Sequence, residues 1–298
     1  EYTFSPNGIP YGAAMSVIES VRPLHGKLTA IRRDIHAHPE LAFEEHRTAE
    51  LVARHLEALG IETHRGIGGT GVVGVVRGRR GLRAIGLRAD MDALPMHEDN
   101  DFAHRSRKAG CMHGCGHDGH TTMLLGAARY LARHRDFDGT VHLLFQPGEE
   151  GFAGAQAMID DGLFERFPCD AIFGLHNHPG VAAGTFLFGS GPFMSASDTA
   201  KIVVHGRGGH AARPHLAVDP IMIAGSLIMA LQTVVSRNID PTQTAVVTVG
   251  TVHAGIAANV IPESATLELS IRSFDAAVRE RLQQVLEDFN DALWQPAA

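Results

Sequence analysis

Hydrophobic positions recur at helical spacing over residues 18–36 and again over 46–59, where Gly60 stands in the place of a C-terminal cap. Short runs rich in β-branched residues follow at 71–76 and 82–88. Residues 121–134 predict a helix with Met123, Leu124, Ala127 and Leu131 on one face. Residues 140–145 and 171–176 predict apolar strands, separated by a helix around 153–161. Strands alternating with helices in this way imply an α/β fold with a central sheet covered on both faces.

The pattern changes after Gly189. Residues 200–205 alternate as a strand, and 218–236 form a strongly apolar helix. Strand patterns at 244–252 and 265–272 follow, then a helix over 275–294. That order, β-α-β-β-α, is one strand short of the split β-α-β arrangement. Residues 189–298 are therefore expected to be a second, smaller α+β domain, and residues 15–188 the first. Residues 1–14, rich in Gly, Pro and Tyr ahead of Met15, are expected to be a leader or an extension outside the fold.

The candidate chemistry clusters at predicted strand ends. Asp90, the run from Gln146 to Glu150, and His176 all lie there, where open α/β sheets build their binding crevices. Of 19 histidines, several fall in tight groups: His36 and His38; His113, His117 and His120; His176 and His178; His210 and His215. Imidazole is the commonest protein metal ligand, so this grouping points to metal. Cys115 and His117 sit on a glycine-rich turn before a helix and can aim two donors at one point. Glu149 and Glu150 follow an apolar strand, where one carboxylate can hold metal while the other acts as a general base. Thiolate, imidazole and carboxylate together suit zinc or manganese better than calcium or magnesium. Asp90 or Asp92 could orient a ligand histidine from behind. Gly206 to Ala211 lacks the spacing and the Lys-Ser/Thr of a phosphate loop and fits better as flexible glycines presenting His210. Asn259 and Arg272 are candidate anchors for a substrate carboxylate.

Charge and cysteine content narrow the alternatives. The net charge is −7, with no basic block, which argues against nucleic acid and anionic membrane surfaces as partners. No apolar run reads as long enough to span a bilayer, and no secretory signal is visible, so the cytoplasm is the expected compartment. Three cysteines, Cys111, Cys115 and Cys169, form no disulfide framework.

Taken together, the blocks at 32–41, 88–95, 112–121, 146–151, 174–176, 208–210 and 259–262 resemble the amidohydrolase branch of the M20 metallopeptidase family. They run in family order from about Met15 to about Phe274. The resemblance implies a zinc-exopeptidase-like mixed sheet with an inserted ferredoxin-like dimerisation or lid domain. It implies two divalent ions held by Cys115, His117, Glu150 and His176, with Cys115 as the bridge. Glu149 would activate water and protonate the leaving amine. His210 would stabilise the oxyanion across a homodimer, and Asn259 and Arg272 would place the carboxylate of an N-acyl amino acid. Members of this branch return from the lid to supply one more metal-binding histidine. Here no histidine follows His253, so an incomplete metal shell and weakened activity are expected. The alternatives are a metal-binding remnant without activity and an exopeptidase acting on dipeptides.

Overall fold

The computed structural model describes residues 17–293, so the expected leader and the end of the last predicted helix at Trp294 lie outside the described residues. The chain divides between Val181 and Ala182 into two compact units.

The first unit runs α1 (His25–Ala37), α2 (His46–Glu57), β1 (Glu62–Ile67), β2 (Gly71–Arg77), β3 (Ala84–Asp90), α3 (His117–Arg133), β4 (Thr140–Gln146), α4 (Gly154–Asp160), α5 (Leu163–Arg166) and β5 (Ala171–Gly174). A 3-10 turn at Arg22–Leu24 interrupts the first helical stretch at Pro23, which lacks the amide an α-helix interior needs. The five strands form one mixed sheet in the order β1-β2-β4-β3-β5. Here β3, β4 and β5 are mutually parallel, while β1 and β2 run antiparallel to their neighbours.

Over β2 and β4 both faces of the sheet are covered, whereas β5 is exposed along its length. Because side chains alternate along a strand, Val72 and Val76 join Leu143 and Phe145 on the face packed by Val52 and Leu56 of α2 and Leu124, Leu125 and Ala128 of α3. Val73, Val75 and Leu144 point the other way, against Met158 of α4, Leu163 of α5 and Phe167. Burial on two sides is why β2 and β4 read as continuous apolar runs. The edge strand β1, Glu-Thr-His-Arg-Gly-Ile, carries only one buried residue and gave no apolar signal.

Several boundaries move. The helix expected from Thr121 begins at His117, which brings His117 and His120 into its first turn. Of the face expected for it, Leu124 is buried and Ala127 and Leu131 pack on the same core, joined by Leu125 and Ala128, whereas Met123 is 45% exposed. Leu82 is fully exposed and lies outside β3, and β5 stops at Gly174.

The second unit contains β6 (Ala196–His205), β7 (Gly209–His210), α6 (Pro220–Asn238), β8 (Ala245–Ala254), β9 (Val260–Ile261), β10 (Ser264–Ser273) and α7 (Ala276–Leu293). The long strands form an antiparallel sheet in the order β6-β10-β8, with both helices on one face. Leu227, Leu231 and Val234 of α6 and Val278, Leu282 and Val285 of α7 pack on Leu267, Leu269 and Ile271. That order and one-sided cover are those of a split β-α-β sheet. Asp219 caps α6 by accepting from the amides of Ile221 and Met222, with Pro220 at its first position.

Helix α6 corrects one expectation. It has 19 residues, and an 18-residue stretch of them has a mean hydropathy of 1.4, long and apolar enough by composition to cross a membrane. A helix that covers a sheet meets the same criterion, and Ala224, Leu227, Leu231 and Val234 of α6 are buried in the unit's core.

Candidate metal centre

The parallel run of β3, β4 and β5 brings their carboxyl ends to one edge of the first unit. Asp90 is level with Gln146, and Arg88 with Gly174, so Asp90, the Gly148–Glu150 turn and His176 leave the sheet side by side. The start of α3 meets them there. Gly116, at a φ of 90° that favours glycine, turns the chain into the helix immediately before His117. A side chain at Gly116 would also collide with that of Asn177.

His117 is fully buried at the centre of the cluster. Its Nδ1 lies 3.2 Å from Asp92 Oδ1. Its Nε2 faces Asp90 Oδ2 at 3.6 Å, Glu150 Oε1 at 3.8 Å and Glu149 Oε2 at 3.9 Å. Cys115 Sγ and His176 Nε2 are 3.4 Å apart. Two donor groups, Cys115–His117–His176 and His117–Glu149–Glu150, thus share His117, and a third joins Asp90, His117 and His120.

Two of these buried atoms, His117 Nε2 and Glu150 Oε1, have no hydrogen-bond partner, while Asp90 Oδ2 is held by Arg88 Nη1 at 2.8 Å. Buried polar atoms are rarely left so. Donors about 2.1 Å from a tetrahedral ion stand about 3.4 Å from one another, close to the spacing found here. The donor set and the unpaired atoms therefore fit divalent metal ions.

The surrounding charges fix the protonation states. Burial opposes a proton on His117, but Asp92, Cys115 and Asp90 prevail and raise its pKa to about 11 without metal. Burial likewise opposes the charge on Asp90, yet His120, His117 and Arg88 hold it well below the usual carboxylate range. Glu149 moves the other way: burial raises its pKa, and Glu150 and Asp90 add to this against His117 and Arg88.

The sequence-predicted residues divide between the two units. Cys115, His117, Glu149, Glu150 and His176 come together in the first. In the second, His210 and Asn259 line one pocket of about 800 Å³ together with His253. The strand pair β7–β9 and the bond from Ala211 N–H to the Asn259 carbonyl (3.0 Å) hold them there. The Ala212 amide donates to His210 Nδ1 at 3.1 Å, which leaves Nε2 as the hydrogen-bond donor. Arg272 stands near the far end of β10, on its exposed side, eight residues from Ser264 and so roughly 26 Å along the strand. The glycines around His210 serve close approach more than flexibility. Any side chain at Gly206 would strike the Val218 carbonyl, where Arg207 bridges to Val218.

Sequence reasoning missed His120 and Asn177 as partners. His120 Nδ1 lies 2.6 Å from Asp90 Oδ1, while its Nε2 accepts from the Asn177 amide at 3.1 Å. Both residues stand inside quoted motifs, but only the fold shows that they touch.

Comparison with known proteins gives a consistent picture. Residues 86–295 match the family described as Peptidase family M20/M25/M40. The chain is 48% identical over 270 residues to the hippurate hydrolase of Campylobacter jejuni, covering 91% of this chain and 70% of that protein. It is 41% identical over 270 residues to thermostable carboxypeptidase 1 of Saccharolobus solfataricus, covering 89% and 68%. Among solved structures, the Bacillus subtilis YXEP protein, a dinuclear metal binding peptidase from the M20 family, superposes with a TM-score of 0.69 at 37% identity, covering 87% of this chain and 67% of that one.

Proposed function

Since the chain belongs to peptidase family M20/M25/M40, we propose that it hydrolyses the amide bond of N-acyl or N-aroyl amino acids, releasing a carboxylic acid and a free amino acid. The observation that carries this reading is that two unpaired buried atoms, His117 Nε2 and Glu150 Oε1, face each other at 3.8 Å beside the Glu149 carboxylate. Cys115, His117, Glu150 and His176 are the assigned ligands, and zinc or manganese the ions that suit them. Bound there, such ions polarise the scissile carbonyl and make water more acidic.

The chain's own residues supply the proton traffic and the positioning. Glu149 takes a proton from the attacking water and returns it to the leaving nitrogen. A carboxylate whose pKa is raised by burial is the stronger base for the first transfer. Asp92 holds the His117 ring. His210, with Nε2 as donor, is assigned to the developing oxyanion, and Asn259 and Arg272 to the substrate carboxylate, reached from different protomers of a dimer because within one chain they stand toward opposite ends of β10. The second unit is assigned to dimerisation, and the compartment to the cytoplasm.

A second reading, carboxypeptidase activity, has support from the Saccharolobus relative. Both reactions cleave an amide whose amine side is an amino acid with a free carboxylate. Hydrolysis of hippurate, N-acetyl amino acids and dipeptides by the purified chain with added manganese or zinc separates them. We expect N-acyl substrates to be turned over and Glu149→Ala to lose about 10²–10⁴-fold in rate. Undiminished turnover in Glu149→Ala, or cleavage of dipeptides alone, would overturn the assignment.

A further inference from the structure

One fully buried carboxylate has no part in the reaction as proposed. Glu45, at the residue before α2, is 0% exposed. Its Oε1 accepts the Gly148 amide at 2.8 Å, and its Oε2 accepts the hydroxyl of buried Thr70. Gly148 immediately precedes Glu149.

The same stretch of chain grips Gly148 a second way. Phe43 holds a φ of 60°, and only Ala153 shares the left-handed region among the described non-glycine residues. A side chain rarely adopts that backbone unless its surroundings impose it. Here the Phe43 ring lies against Gly69 and Gly148. A Cβ on Gly148 would stand 3.1 Å from the ring, and one on Gly69 3.3 Å. Beyond Gly148 the turn closes on itself: the Gly148 carbonyl accepts from the Gly154 amide at 3.0 Å, and a side chain at Gly154 would collide with the Pro147 carbonyl. The Glu150 amide is tied in turn to Asp92 Oδ2 at 2.9 Å. Glu149 is thus a half-exposed side chain on a backbone fixed from both sides.

An apolar residue would fill the Glu45 position at less desolvation cost, so volume alone does not account for a carboxylate there. What the carboxylate adds is an acceptor for the Gly148 amide. We propose that Glu45 and Phe43 form a clamp on Gly148 that sets the direction in which Glu149 projects, making Glu45 a positioning residue for the proton transfer. This rests on the reading of Glu149 as the base.

Three substitutions test it in the full chain loaded with manganese. Glu45→Gln keeps an oxygen for Gly148 and offers its amide to the Thr70 hydroxyl, which can accept. Its kcat should stay within about threefold of the parent. Glu45→Asp keeps the charge but is one methylene too short to reach both partners, and Glu45→Ala removes the acceptor. Both should lose about tenfold to a hundredfold in kcat with KM held within about threefold. Metal content should be unchanged. Amide exchange over residues 146–151 should quicken by about tenfold or more in both, and not in Glu45→Gln.

If Glu45→Ala fails to fold, Glu45→Asp carries the same test. Parental kcat and exchange in a folded Glu45→Asp would overturn the clamp. So would a kcat loss that Glu45→Gln shares, or one that follows metal loss in proportion. The exchange measurement decides the clamp even if Glu149→Ala stays active, an outcome that would count against the reaction and not against the clamp.

Discussion

Asp92 and His117 stand 3.2 Å apart, carboxylate oxygen to ring Nδ1, with neither side chain exposed. The other oxygen of Asp92 accepts the Glu150 amide at 2.9 Å. One carboxylate therefore joins the start of α3 to the turn after β4. It fixes which nitrogen of His117 is left to bind metal and where Glu150 stands relative to it.

Removing this link should loosen metal without unfolding the protein. Asp92→Ala is expected to weaken manganese binding about 10–100-fold by calorimetry. Unaltered affinity in the variant would show that His117 needs no such support.

Proton release should accompany metal binding. Without metal the His117 pKa is raised to about 11, so at neutral pH its ring is protonated and an ion must displace that proton. Affinity should fall as pH falls, by about tenfold per unit for each proton released. Titration in two buffers of different ionisation enthalpy counts the protons, and a count of zero would refute the assignment of His117 as a ligand.

His36 and His113 have ring centroids 6.3 Å apart yet should oppose each other in the pH dependence of stability. Asp118 is the main cause of the raised pKa of His36, with Glu98 assisting against burial. Its stabilisation is complete below the unfolded value of 6.5 and disappears as pH rises through the higher folded value. His113, both ring nitrogens unpaired, is lowered by burial to about 4. Between 6.5 and about 4 the unfolded chain binds the extra proton, so stability falls as pH falls through that window. Urea midpoints from pH 4 to 8 should lose the rising-pH decline in His36→Gln and the acid decline in His113→Gln. Profiles parallel to the parent would contradict both assignments.

Gly116 should tolerate no side chain. Gly116→Ala puts a methyl group into Asn177 and requires a left-handed alanine, which together should cost about 1–3 kcal/mol. The double variant with Asn177→Ala should recover the collision part but not the backbone part. Thermal unfolding of the single and double variants checks this, and strict additivity would mean that the two residues do not meet.

The sequence by itself determined the α/β class, the order of the main elements along the chain and the buried strands β2 and β4. Long, two-sided burial and helical periodicity are local patterns that survive in one dimension. The strand-end placement of Asp90, Glu149, Glu150 and His176 was legible for the same reason, since an apolar run gives way to polar residues there, with Pro147, Gly148 and Gly174 marking two of the three ends. The weakly patterned pieces were not legible. Strand β1 is polar because it lies at an edge, and β7 and β9 are two residues long and exist only because they pair with each other. On α3 the expected Leu124, Ala127 and Leu131 do face the core, but Met123 was wrongly included because it differs little in hydrophobicity from Leu124, and only the sheet beneath decides which is covered.

Contact across long separations belongs to the tertiary structure alone. No local pattern links Glu45 to Gly148, His36 to Asp118, or His120 to Asn177. The first of these pairs is 103 residues apart, the second 82 and the third 57. Each is a buried polar group whose partner is chosen by sheet order or helix packing, and a buried polar group must be paired somewhere. The sequence supplied the donors and acceptors. The parallel register of β3, β4 and β5 and the packing of α3 beneath them decided which would meet.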